Sequence, residues 1–296
     1  MLCDTGCPGT GHWGYVGMGR KSGLKFDKIG YWSEMKLSII KEYAAAYSTI
    51  FRAERQRGLY HVYIDAFAGP GMHISKKTGE PVPGSPLNAL QVEPRFREYH
   101  FIELDRLKVA ALKQAAGKRP EVHVHDGDCN NILLKKVFPK VRFEDFRRGL
   151  CLFDPYGLHL NWEVVETAGR LKSIEIFLNF PVADINRNVL WRHPEGVDPT
   201  DIQRMNLFWG DESWRQIAYT TSRDLFGYPE KEDNETVAEA FRVRLQRTAG
   251  FGCVPQPLPM RNSHGAIVYY LFFASQNAAG ERIAKDIFQK YRGRGV

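Results

Sequence analysis

The stretch that most constrains this chain is Tyr60-His-Val-Tyr-Ile-Asp65-Ala-Phe67-Ala68-Gly69-Pro-Gly71. Val62, Tyr63 and Ile64 suit a buried strand, which then breaks at an acid followed by alternate glycines. A buried strand needs neighbours on both edges and cover on both faces, and helical patterns recur between the strands of this chain, so an open α/β sheet is expected. In such sheets, ligands sit in the crevice outside the carboxyl ends of the strands. Glycine there lets the main chain approach a bulky ligand that a Cβ would repel. Asp65, Phe67, Ala68, Gly69 and Gly71 are therefore expected to shape a cofactor-binding turn.

The strand-then-acid pattern repeats downstream. Tyr99-His-Phe-Ile-Glu103-Leu-Asp105 supplies a second strand, and Glu103 near its carboxyl end could accept hydrogen bonds from both ribose hydroxyls of a nucleoside, or be a solvated carboxylate. Asp105 fits the cap of a helix that runs to Ala116 and stops at Gly117. A third strand, Glu121 to His125, ends in Asp126-Gly-Asp128-Cys-Asn130. A carboxylate here, Asp126 or preferably Asp128, could accept from the exocyclic amine of adenine; Asp128 could equally cap the next helix. The fourth strand, Gly149 to Phe153, ends in Asp154-Pro155-Tyr156-Gly157. The fifth, Ser173 to Leu178, ends in Asn179-Phe180-Pro181. Asn179 could face the site and Arg187 could hold a phosphate or carboxylate of the substrate, against the plainer readings of a turn and a surface arginine.

Between these strands, a helix is expected from Ser33, with Leu37, Ile40, Ala44, Tyr47 and Phe51 on one face. A long turn from Met72 to Gly84 precedes the next helix, capped by Ser85 with Pro86 behind it. In a dinucleotide site the helix begins directly after the glycines. The long turn therefore disfavours NAD or FAD and leaves either a lid or a surface excursion. Residues 188–250 interrupt the α/β rhythm and are expected to form an inserted helical subdomain for substrate recognition, with helices around Asp211 to Leu225 and Glu235 to Arg247. Trp191, Trp209, Trp214, Arg242, Arg244 and Arg247 fit either base recognition or a small core with a basic face. Cys253 to Met260 and Ala266 to Ala274 suggest a hairpin at the sheet edge, before a last helix with Ile283, Ile287 and Tyr291 on one face.

Residues 1–30, rich in glycine, are expected to form a tail or a loosely docked arm, and their Gly9-Thr-Gly11-His-Trp-Gly14 is read as a chance match to G-x-G-x-x-G, with no strand before it and no helical pattern directly after. The 31–187 and 251–296 segments are expected to make one core, consistent with 296 residues. No apolar run approaches membrane-spanning length and no signal-peptide core is present, so a soluble, cytoplasmic protein without a membrane partner is expected. Five scattered cysteines suggest no disulfide framework, and Cys3 with Cys7 lacks a second pair at zinc spacing, so no metal is expected. A net charge of +7 favours a polyanionic partner, or is an ordinary basic surface.

The D-x-F-x-G-x-G run at Asp65 resembles the first motif of S-adenosylmethionine-dependent methyltransferases, especially those acting on nucleic acids. Asp154-Pro155-Tyr156 is similar to the Asp/Asn/Ser-Pro-Pro-aromatic motif of amino-methyltransferases of DNA and RNA, without its second proline and with the aromatic residue one place earlier. With Gly30-Tyr-Trp32, Lys36-Leu37, Gly84-Ser-Pro86, Glu103 and Asn186-Arg187, most of the chain from Gly30 resembles the three-Cys-motif partner protein family. That resemblance implies a Rossmann-like class I methyltransferase fold, with a mixed seven-stranded sheet, a C-terminal antiparallel hairpin and an inserted helical subdomain. It implies S-adenosyl-L-methionine as cofactor and a separate three-Cys-motif protein as partner. Asp154 and the Pro155 carbonyl would orient the target amine of a nucleic-acid base beside Tyr156. The alternative is a non-catalytic protein of the same fold that binds nucleic acid or the partner.

Overall fold

In the computed structural model, which describes residues 25–53, 58–223 and 229–292, strands and helices alternate along the chain. In order they are β1 (Lys28–Ile29), α1 (Tyr31–Ala53), β2 (Tyr60–Asp65), β3 (Met72–Ser75), β4 (Pro81–Pro83), α2 (Ser85–Leu90), β5 (Glu98–Glu103), α3 (Arg106–Ala116), β6 (Val122–Asp126), α4 (Cys129–Ile132), β7 (Arg147–Phe153) and α5 (Trp162–Leu171). There follow β8 (Ile174–Phe180), α6 (Val182–Asn188), α7 (Pro199–Trp209), α8 (Trp214–Ala218), β9 (Tyr219–Arg223), β10 (Pro229–Lys231), α9 (Asn234–Arg247), β11 (Leu258–Arg261), β12 (Ile267–Ala274) and α10 (Ala278–Arg292).

Seven of these strands form one sheet in the order β11-β12-β8-β7-β2-β5-β6. β8, β7, β2, β5 and β6 pair in parallel, and β12 runs against both of its neighbours. The chain moves outward from β2 through β5 to β6, returns to the other side of β2 for β7 and β8, and ends in a hairpin whose second strand lies between β8 and β11. This is the Rossmann-like class I methyltransferase fold. Its topological switch point lies at β2, between β5 and β7, where open α/β sheets bind their ligands.

Alternation along the strands sorts the core into two layers. Val62, Ile64, Cys151, Phe153, Ile176 and Leu178 belong to the buried cluster that also holds residues of α4, α5 and α9. Tyr63, Tyr99, Phe101, Leu152 and Phe177 belong to the other, with Ile39, Ile40 and Tyr43 of α1 and Ile287 and Phe288 of α10. The residues that end the strands inherit this parity, so Asp65, Glu103, Asp154 and Asn179 share the α1 side of the sheet.

Several expected boundaries shift. Helix α1 begins at Tyr31, because the Gly30 carbonyl accepts from the amides of Ser33 and Glu34, at 3.0 and 3.2 Å. Gly84, not Ser85, caps α2, and it does so without a side-chain bond. The long turn from Met72 to Gly84 is an ordered hairpin, β3–β4, whose β3 pairs in parallel with β1 just before α1. Strand β8 runs on through Asn179 to Phe180. Where one helix is expected around Asp211 to Leu225, the chain forms the short α8 and then β9, paired antiparallel with β10, and 224–225 lie outside the described residues. Tyr219-Thr220-Thr221 suits a strand, since threonine and tyrosine fit a pleated surface better than a helix.

Within residues 188–250, Phe208, Trp209, Trp214, Phe241 and Leu245 are buried and continuous with the main core. Trp209 and Trp214 are only 1% and 2% exposed, so neither offers a face to a base; Trp191 keeps 43% of its surface. Arg244 donates to the Trp209 carbonyl at 2.6 Å and to Asp211 at 2.7 Å, and Arg242 is bonded to Glu239 and the Val254 carbonyl. Most of the 1–30 arm, with Cys3, Cys7 and the Gly9–Gly14 run, lies outside the described residues. Among the described residues no helix is long and apolar enough to cross a membrane, no His/Cys/Asp/Glu group could hold a metal, and Cys129, Cys151 and Cys253 are free thiols.

Candidate active site at the strand tips

At the end of β2 the chain turns through Ala66 and Ala68, whose amides still bond to the Leu152 and Ile102 carbonyls, at 3.0 and 2.9 Å. The turn is thus stitched to the strands on either side before the glycines release it. Gly69 and Gly71 have φ of +64° and +86°, a region L side chains rarely adopt. A Cβ on Gly71 would press on Leu112 at 3.2 Å, whereas one on Gly69 would meet nothing within 4 Å. Gly71 is therefore shaped by packing, and Gly69 faces open space. Phe67 is half-buried against the core.

Glu103 organises this turn. One carboxylate oxygen accepts from the Gly69 amide and the other from the Asp105 amide, both at 2.8 Å. Asp105 in turn caps α3, as the spacing predicts. Asp126 lies in register beside Glu103 and approaches Arg106 at 3.8 Å. Asp128 caps α4, accepting from the Asn131 amide at 3.0 Å, while Asn130 bridges from its other oxygen, at 3.1 Å, to the His159 carbonyl. Both readings of Asp128 remain compatible, since a carboxylate oxygen has a second lone pair.

Asp65 is fully buried. One oxygen accepts from the Phe67 amide at 3.2 Å, and Oδ2 has no partner. Burial pushes its carboxyl up to about 7, against the opposing pull of Ser85 and the Phe67 amide. On the same face, Asp154 Oδ2 takes the Lys36 ammonium at 2.5 Å and Oδ1 accepts from Asn179 Nδ2 at 2.9 Å. The Lys36 side chain is only 7% exposed and lies 5.2 Å from the centre of the Tyr269 ring, whose hydroxyl donates to the Trp32 carbonyl. Asn179 Oδ1, like Asp65 Oδ2, has no partner, and its residue is 8% exposed. His73 of the β3–β4 hairpin has an unpartnered Nδ1, and burial, then the Lys36 charge, lowers its pKa.

Asp65, Glu103, Asp154 and Asn179 are thus brought together on one side of the sheet. Pro155 is buried, whereas Tyr156 projects with 86% of its surface free. A cavity of about 190 Å³, lined by Tyr156, Gly157, His159, Asp184, Asp201 and Arg204, opens beside that loop. Arg187 is exposed; its backbone carbonyl accepts from Trp191 Nε1 at 2.6 Å. Lys36 carries no assigned role in the sequence reading. Its position after Gly30-Tyr-Trp32 is the only signal that could have raised it, because its partner lies 118 residues away.

No protein-family model matches the chain, and no curated protein matches it. Among solved structures it is similar to a Legionella pneumophila protein of the family model DUF519, at 13% identity over 90% of this chain and 94% of that one, with a TM-score of 0.48. It is also similar to a Thermobifida fusca protein whose description proposes a methyltransferase, at 13% identity over 82% of each chain, with a TM-score of 0.39. The strand order itself defines the fold.

Proposed function

We propose that the protein is an S-adenosylmethionine-dependent methyltransferase acting on an amine of a nucleic-acid base, working with a three-Cys-motif partner. The observation that carries this reading is the convergence of Glu103 on the Gly69 amide, open space beside Gly69 and the polar group Asp154–Asn179, all on one face at the switch point. These residues fit an adenosyl amino acid. Glu103 would hold the ribose, Asp126 or Asp128 the adenine amine, and Asp65, with one buried oxygen lacking a partner, the amino-acid end. Gly69 and Gly71 would let the main chain approach it.

The cofactor supplies an activated methyl group, so the protein's task is alignment more than base strength. Asp154 and the Pro155 carbonyl would accept from the target amine and aim its lone pair. Tyr156 and Arg187 would contact the base and its phosphate. Calorimetry with S-adenosylhomocysteine is the test. Wild type should bind, and Glu103→Ala should lose about tenfold or more, as expected for removing a charge-assisted pair. No binding, with both proteins alike, would remove the reading.

One observation favours a second reading. Both Asp154 oxygens are already engaged by Lys36 and Asn179 of the chain itself. A protein that binds nucleic acid or its partner without transferring methyl groups would retain binding and show no turnover of methyl-labelled cofactor on bulk DNA and RNA, even with the partner present.

A further inference from the structure

Lys36 reaches the strand tips from the second turn of α1, and its ammonium is held between the Asp154 carboxylate and the Tyr269 ring. Parity puts Asp65, Asp154, Asn179 and Tyr269 on this same side, above Tyr63, Leu152 and Phe177. Asp65 feels the charges of both Asp154 and Lys36. The group therefore holds one ammonium, two carboxyls and two nearly fully buried oxygens with nothing bonded to them, Asp65 Oδ2 and Asn179 Oδ1. Buried polar atoms are normally satisfied, so two unsatisfied ones facing one charged group mark a place for polar ligand atoms.

The charge pattern selects the ligand. An α-amino acid group brings one ammonium and one carboxylate, a match for an available acid and an available cation. Asp65 is the acid with a free oxygen. The only cation in the group is Lys36, and it is engaged by Asp154. A lysine has a flexible four-carbon stem and three rotatable donors, so it can change partners without moving the backbone. Asn179 Nδ2 would meanwhile keep its hold on Asp154 Oδ1.

We propose that Lys36 is a partner-switching residue that couples the two halves of the site. In this structure it holds Asp154; the α-carboxylate of an amino-acid-bearing nucleoside draws it away, and Asp154 Oδ2 is released to accept the hydrogen bond of the acceptor amine. This rests on the methyltransferase reading above and adds an order to it: the cofactor binds first and prepares the acceptor position. Lys36 acts here as a positioning residue.

The test compares S-adenosylhomocysteine, which carries the amino-acid head, with 5′-methylthioadenosine, which lacks it, by calorimetry on three proteins. Wild type should prefer the former. Asp154→Asn frees Lys36 from its competitor, so S-adenosylhomocysteine should tighten by about three- to tenfold while methylthioadenosine stays unchanged. The double variant Lys36→Met with Asp154→Asn removes both charges and leaves neither buried alone, which protects folding. It should lose most of the preference, about tenfold or more. The proposal is overturned if Asp154→Asn leaves S-adenosylhomocysteine unchanged or weakens it, or if the double variant keeps the wild-type preference. Binding of neither ligand to wild type would instead remove the methyltransferase reading, and this proposal with it.

Discussion

Asp65, proposed above to hold the cofactor, opposes stability. It is fully buried with one oxygen unpaired, and burial raises its carboxyl from 3.8 to about 7. Below pH 3.8 the group is protonated in both the folded and unfolded chains. Between there and about pH 7 the unfolded chain releases a proton that the folded chain keeps, so stability falls as pH rises. Asp65→Asn keeps an acceptor for the Phe67 amide and removes the titration. The variant should be more stable than wild type at pH 7.5, by about 2–4 kcal/mol, with the gain fading toward pH 4. Urea titrations at the two pH values measure this. A variant less stable at both would show that Asp65 makes a contact its geometry does not reveal. The same variant should lose affinity for S-adenosylhomocysteine, the usual exchange of stability for function at such sites. At this scale, local chemistry was a good guide. Acid-then-glycine at a strand end predicted the turn after β2, where Gly69 has φ of +64°, and Asp105 caps its helix as its position suggested. The bond from Lys36 to Asp154 was not readable, because nothing local distinguishes an ammonium bonded across the fold from one in water.

Among the elements, the edge strand β6 carries an unusual side-chain ladder. His100 is buried on β5, bonded through Nδ1 to His125 at 2.9 Å and through Nε2 to Glu98 at 2.8 Å, and its ring stacks with those of His123 and His125. Arg147 of β7 closes the row on Glu98. Burial, then the neighbouring His100 and His123, lowers His125 to about 4. With the folded value below the unfolded 6.5, the stabilisation is present above pH 6.5 and is lost as pH falls toward 4. His125→Gln should flatten that acid limb by about 1 kcal/mol, a figure reduced for its partial exposure. Denaturant midpoints at pH 7 and pH 5 check it; an unchanged slope would mean His125 titrates freely. A second element-scale prediction concerns α5. A Cβ on Gly169 would lie 2.0 Å from the Ala249 carbonyl oxygen, where the chain leaves α9, and backbone cannot yield as a side chain can. Gly169→Ala should cost about 3 kcal/mol or more by forcing these segments apart, read as a lowered thermal midpoint; a neutral outcome would mean the junction opens at little cost. Helices and strands with clean periodicity were legible, α10 with Ile287 buried among them. The β3–β4 hairpin was not, since what orders it is pairing with Lys28–Ile29, more than forty residues earlier in the chain by the register itself. α8 and β9 are not the single helix expected there because the β-prone Tyr219-Thr220-Thr221 ends the helical pattern; of the two readings open for Trp209 and Trp214, the buried core is the one they adopt.

For the whole molecule, the alternation of strands and helices fixed the class of fold, and the reversed final hairpin separated it from a dinucleotide-binding sheet. Strand order is a matter of non-local pairing and reached the sequence reading only through resemblance. What the proposed function leaves open is the acceptor, and the charge of the whole chain bears on that. A net charge of +7 raises the local concentration of any polyanion, but it also serves solubility. The two roles differ in how they respond to salt. A protein that neutralises phosphates releases condensed counterions, so its affinity falls steeply and log-linearly with salt concentration. Fluorescence anisotropy with labelled single-stranded and duplex DNA and RNA, between about 50 and 200 mM salt, should show affinity dropping by about tenfold or more. If the target base must be reached outside a stack, single strands should bind at least as well as duplexes. Arg187→Ala should weaken all sequences alike and shallow the salt slope by about one phosphate. Absence of binding at low salt, or binding indifferent to salt, would assign the charge to solubility and move the search for an acceptor to proteins and small amines, with the proposed cofactor site left standing.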